Sequence, residues 1–112
     1  MSEWTKLLRL QAQADKEATI TAVSATPTPT IFESSLTLGY ARKALIAYNN
    51  TDNSDPASGE CFYSYKETAS TSGESRPIPM GAEIDIYVHD NIDVYFFSVS
   101  GETGDLRIEE LS

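Results

Sequence analysis

One cysteine, one histidine and one tryptophan occur in 112 residues, and only 8 basic side chains stand against 17 acidic ones. A lone Cys61 excludes an intrachain disulfide, so the fold closes on apolar burial alone and the thiol is expected to be buried. A single His with a single Cys also excludes a Cys/His zinc cluster, and no cofactor motif is present. The formal charge of -9 repels phosphate backbones and argues against direct nucleic-acid binding. No run reaches the ~18 apolar residues of a membrane span, and MSEWTKLLRLQAQADKE lacks the apolar segment of a signal peptide. The sequence therefore predicts synthesis in the cytosol and no membrane partner.

Charge is unevenly placed. Residues 1–45 hold five bases (Lys6, Arg9, Lys16, Arg42, Lys43) and four acids (Glu3, Asp15, Glu17, Glu33), a net of +1, which leaves -10 for residues 46–112. The size, 12.3 kDa, suits one domain with one core and no deep cleft between lobes.

The residues that chemistry would need are not assembled. His89 has Asp85, Asp90 and Asp93 near it in sequence, but it lies beside an expected turn and has no nucleophile partner. No serine sits in a G-x-S-x-G setting. The loop NNTDNSDPASGE, Asn49 to Glu60, carries oxygen ligands, yet counted from Asp52 it lacks the sixth-position glycine and twelfth-position acid of an EF-hand loop. Asn49-Asn50-Thr51 fits a glycosylation sequon, which without a secretion signal reads as coincidence. The reading is of a protein that is not an enzyme.

What the sequence does have is β patterning after an unusual N-terminus. EWTKLLRLQAQA, residues 3–14, places Trp4, Leu7, Leu8 and Gln11 on one helical stripe. ATITAV, Ala18 to Val23, reads as a short strand, and Pro27 and Pro29 then favour an extended path. Residues 1–30 are thus expected to form an extended, partly helical arm, and residues 31–112 the β-domain. Within that domain SSLTLGYARKALIAYNN gives β-prone runs around Gly39, GECFYSY has strand spacing, and ETASTSGESRP is a polar loop.

In PIPMGAEIDIYVHDNIDVYFFSVSGETGDLRIEEL the residues Ile84, Ile86 and Val88 alternate with polar ones, Asp90-Asn91 offers a turn, and Ile92, Val94 and Phe96 resume the inward pattern. A hairpin is expected there. The strand IDVYFFSV also carries Tyr95, Phe97 and Val99 on its other face, so it should be central. Leu106 and Ile108 complete the expected core. The fold class is mainly β, an antiparallel β-sandwich or small barrel. Tyr87, Tyr95 and Phe97 are assigned to a protomer interface rather than to a sugar-binding platform.

The order ALIAYNN, GECFYSY, PIPMGAEIDIYV, NIDVYFFSVSG and GDLRIEEL, over roughly residues 44–111, resembles small structural proteins of tailed bacteriophages. In these a P-I-P-x-G turn precedes a D-V-Y-F strand and a closing L-R-I-x-E strand. The resemblance implies a virion structural protein, foremost a capsid decoration (cement) protein on the capsid exterior, with the major capsid protein as partner and a homo-oligomer, a trimer, as its state. Neck or tail components belong to the same class of proteins. On this reading Trp4, Leu7, Leu8, Pro27 and Pro29 are the partner-binding residues of the arm. A carbohydrate-binding module using exposed aromatics and an acidic DNA mimic are the alternatives from other classes.

Overall fold

The computed structural model describes residues 2–51, 59–69, 73–89, 91–99 and 101–112. Among them one helix, α1 (Glu3–Asp15), is followed by eight strands: β1 (Ala18–Ala25), β2 (Thr30–Ile31), β3 (Ala44–Asn49), β4 (Cys61–Ser64), β5 (Ser75–Ile78), β6 (Glu83–Ile86), β7 (Tyr95–Ser98) and β8 (Gly104–Leu111). They form two four-stranded antiparallel sheets, ordered β1-β8-β3-β6 and β2-β7-β4-β5. The fold is a β-sandwich.

The core lies where period-two alternation turns apolar side chains inward from both sheets. Leu45, Ala47, Ile86, Leu106 and Ile108 of the first sheet meet Cys61, Ile78 and Phe96 of the second, with Phe32 and Val94 from the connections. Phe32 stands edge-on to Phe96 with ring centroids 6.1 Å apart. Ile84 and Val88 pack against the same cluster, as their spacing predicts, but Ile92 is exposed. β7 is central, in agreement with the two apolar faces of its sequence.

The expected hairpin is not formed. β6 belongs to the first sheet and β7 to the second, so the two strands face each other across the sandwich instead of pairing side by side. Arg42 holds the crossing: its guanidinium donates to the carbonyls of Val88, His89 and Ile92 at 3.4, 3.2 and 2.9 Å. Asp90, half of the expected turn, lies outside the described residues, as do residues 52–58 of the acidic loop. The polar loop also ends earlier than its composition predicts, because Ser75, Arg76 and Pro77 belong to β5, an edge strand where a missing N–H is tolerated.

Two further features close the sandwich. Asn49, fully buried, donates from its amide to the carbonyls of Gly59 at 2.7 Å and Ile78 at 2.9 Å, tying β3 to the other sheet. Its side-chain oxygen accepts from the Thr51 hydroxyl at 2.6 Å, so the sequon asparagine is fully engaged inside the protein. Gly104 opens β8 beside Cys61, where a Cβ would lie 2.0 Å from the Cys61 sulfur. Only glycine leaves room for that thiol.

Residues 1–30 do not stand apart as an arm. β1 pairs with β8 over its whole length, Ala18 opposite Leu111 through Ala25 opposite Gly104. α1 lies on the outer face of the same sheet, where Leu8 and Ala12 pack on Ala44, Ile46 and Leu111. This explains why β3 reads ALIAYN with no polar alternation: Leu45 and Ala47 face the sandwich while Ala44 and Ile46 face the helix.

Candidate interaction surface

The helix begins at Ser2, whose hydroxyl accepts the Thr5 N–H at 3.0 Å and so satisfies a donor that has no partner within the helix. Thr5, Leu8 and Ala12, three or four residues apart, are its buried positions. The stripe expected from apolarity, Trp4, Leu7, Leu8 and Gln11, is rotated by about one position. Small Thr5 and Ala12 let the helix approach the sheet, and the larger side chains point away.

Polar contacts fix the docking at the N-terminus and at the middle of the helix. The Thr5 hydroxyl donates to Asp85 Oδ2 at 2.7 Å, and the Tyr87 hydroxyl bonds to Ser2 at 2.6 Å and also to Thr5. Arg9 reaches Glu109 of β8 with two parallel bonds, Nη2 to Oε1 at 2.6 Å and Nε to Oε2 at 3.0 Å. This fork is partly buried, which makes it a stronger anchor than an exposed pair.

What this anchoring leaves outward is an apolar helix face. Trp4, Leu7 and Leu10 are 58%, 56% and 65% exposed, and Leu8 of the expected partner-binding set is buried beneath them. Pro27 is exposed and Pro29 partly covered, but both lie in the link from β1 to β2, away from the helix. Between α1 and the rest of the sheet runs a groove of about 400 Å³, lined by Arg9, Gln13, Ile20, Tyr48, Arg107 and Glu109 among others. Its walls carry both signs of charge.

The three aromatics assigned to one interface are not on one face. Tyr87 is bonded to the N-terminus of α1 on the outer side of the first sheet. Phe97 alternates with core residue Phe96 and so faces outward from the second sheet, where it stacks on Phe62 with centroids 5.6 Å apart and is itself 2% exposed. Tyr95 shares that side, and burial raises its phenol pKa, helped by the negative charges of Asp93 and Glu67. A single surface through Tyr87, Tyr95 and Phe97 is therefore ruled out by the division of β6 and β7 between sheets.

The nucleophile and base candidates are likewise apart from each other. Cys61 is buried against Gly104, and desolvation, reinforced by Glu102 and Asp105, pushes its thiol up to about 11. His89 lies at the crossing, its Nδ1 3.1 Å from Asn91 Oδ1. Among the described residues no group of three or more His, Cys, Asp or Glu side chains is placed to hold a metal ion. Among the described residues no helix is long and apolar enough to cross a membrane.

Sequence reading missed the residues that make the surface rigid, Thr5, Arg9, Asp85 and Glu109. Their signal was weak because each is an ordinary polar residue until the strand order brings it opposite its partner. No family model matches the chain, and no curated protein matches it. Among solved structures it is similar to a subunit from work on Bacillus endospore appendages, described as a novel family of disulfide-linked pili, at 14% identity and a TM-score of 0.47 over 85% of each chain.

Proposed function

We propose that this chain is a non-catalytic structural protein that binds a protein lattice through the outward face of α1. On the resemblance of residues 44–111, the lattice is the major capsid protein of a tailed bacteriophage and the chain is a decoration protein on the capsid exterior. The observation that carries the reading is the exposure of Trp4, Leu7 and Leu10 side by side on a helix that is already ordered. Burying them contributes about 1.5–3 kcal/mol each before binding costs, and a docked helix has little left to order on binding. α1 is also neutral, with Glu3 and Asp15 against Lys6 and Arg9, so it approaches an acidic lattice more readily than residues 46–112 do. The docking element is thus a rigid helix face and not a flexible arm.

The test is co-sedimentation with expanded capsid-protein shells. Leu7→Glu and Leu10→Glu lie on the exposed face, so the fold is expected to survive while shell binding is lost. Undiminished binding of the folded double variant refutes the helix as the lattice contact. Wild-type chain that binds no shell refutes decoration and favours a neck or tail station. Deleting residues 1–30 would not serve, because it would strip β1 from its sheet.

A further inference from the structure

Among the described residues the sandwich has four sheet edges, and three are guarded. β6 carries Glu83 and Asp85 and is tied to the N-terminus of α1; β5 contains Arg76 and Pro77; β2 is only two residues long and follows Pro27 and Pro29. Charges, prolines and shortness are the usual means by which proteins stop edge strands from pairing. β1 has none of them. Its eight residues, ATITAVSA, hold no charge, no proline and no glycine, and among the described residues it pairs with β8 alone.

Register fixes which backbone groups are open. Ser112 N–H donates to Glu17 O at 3.1 Å, so residues 17, 19, 21, 23 and 25 direct their N–H and C=O groups at β8. The Asn50 N–H donating to Asp105 O at 2.8 Å agrees, because it assigns the alternate residues of β8 to β3. Ala18, Ile20, Ala22 and Ser24 therefore aim their backbone groups outward from the sheet edge. Ile20, on the helix-bearing face, is 71% exposed.

We propose that this edge is a self-association surface, on which β1 of a second copy pairs antiparallel about a twofold axis through Thr21 and joins two four-stranded sheets into one. Ala18 then pairs with Ser24 of the other copy and Ile20 with Ala22, each twice, giving about eight backbone hydrogen bonds at two per hydrogen-bonded pair. Each Ile20 lies beside a small Ala22, so the exposed side chain gains cover without a clash. The occupant is a second copy because the strand is uncharged in a chain of -9: two such chains repel over most of their surface, and an unguarded uncharged strand of equal length is what each can offer the other. A twofold normal to the sheet also puts both copies of α1 on the same side, so a lattice would meet two apolar helix faces at once. This surface is separate from the lattice contact and is tested without any lattice.

Sedimentation equilibrium of the full chain is expected to show a concentration-dependent dimer of twice 12.3 kDa. Ala22→Pro removes an outward N–H only, so it should raise the dimer dissociation constant by about tenfold or more while leaving the far-ultraviolet circular dichroism unchanged. Thr21→Cys places two thiols across the axis in a pair with Cα atoms about 4.5 Å apart, within disulfide reach, and mild oxidation should trap a covalent dimer. Buried Cys61 does not compete. A wild-type chain that stays monomeric at high micromolar concentration overturns the proposal, and so does a Thr21→Cys chain that fails to cross-link. If Ala22→Pro does not fold, Ile20→Lys on the same open edge takes its place, and dimerisation as tight as wild type overturns the proposal. Monomers that instead capture a foreign strand on β1 would overturn the second copy as occupant.

Discussion

Arg42 and Glu110 form an ion pair at 3.4 Å with the side chains 4% and 0% exposed. The pair sits where the loop before β3, the end of β8 and the crossing between sheets converge. Glu110 also accepts from the Ser35 N–H at 2.7 Å, and Arg42 directs its Nε and Nη2 donors at the crossing carbonyls. Both charges are thus hydrogen-bonded as well as paired, which is the condition under which burial is tolerated.

Arg42→Ala is expected to cost about 3–5 kcal/mol, because it leaves a buried carboxylate without its cation. Replacing both partners, Arg42→Met with Glu110→Leu, should cost less than the two single changes together. Chemical denaturation of the three variants checks this, and strict additivity would mean that the pair is not coupled.

Residues 82–89 and 91–98 carry the clearest alternation in the chain, and they show where sequence reading stops. Alternation correctly assigned Ile84, Ile86, Val94 and Phe96 to one core, since period two fixes which face a side chain takes whatever the partner strand is. It did not reveal that β6 and β7 belong to different sheets, because a hairpin and a crossing both turn the same faces inward. The decision came from Arg42, over 40 residues earlier in the chain. Likewise the helix of residues 3–15 was visible, but its orientation was not: Trp4 and Leu7 are the more apolar residues, yet Thr5 and Ala12 fit the sheet and Asp85 gives Thr5 a partner.

That boundary can be measured at two aliphatic residues, one buried and one exposed. Leu106→Ala should cost about 2–5 kcal/mol, as a fully buried core truncation. Ile92→Ala should fall within about 0.5 kcal/mol, since Ile92 is 43% exposed at the crossing despite continuing the apolar pattern. A large loss at Ile92 would restore it to the core and contradict the crossing.

Gly104→Ala introduces a methyl 2.0 Å from the Cys61 sulfur, so one strand must shift. A loss of about 1–3 kcal/mol is expected from this overpacking. Cys61→Ala in the same chain should recover part of it by vacating the sulfur's space. If the second substitution makes the loss larger, the two residues are not in contact.

Acid stability follows from Glu17, which links the end of α1 to residues 37 and 38. Its carboxylate accepts from the Leu38 N–H at 3.0 Å and from Thr37, and these bonds, the Leu38 one foremost, hold its pKa below the ordinary 4.5. The unfolded chain then binds a proton more readily than the folded one, so protonation favours unfolding. Stability from this contact is complete above pH 4.5 and is lost as the pH falls through the lower folded value. In Glu17→Gln that part of the acid dependence should vanish, making the difference in stability between wild type and variant largest near neutrality and smallest in acid. Urea titrations at a series of pH values from neutral downward read this directly, and a difference that grows on acidification would show that the Glu17 carboxylate does not anchor the residue 37–38 loop.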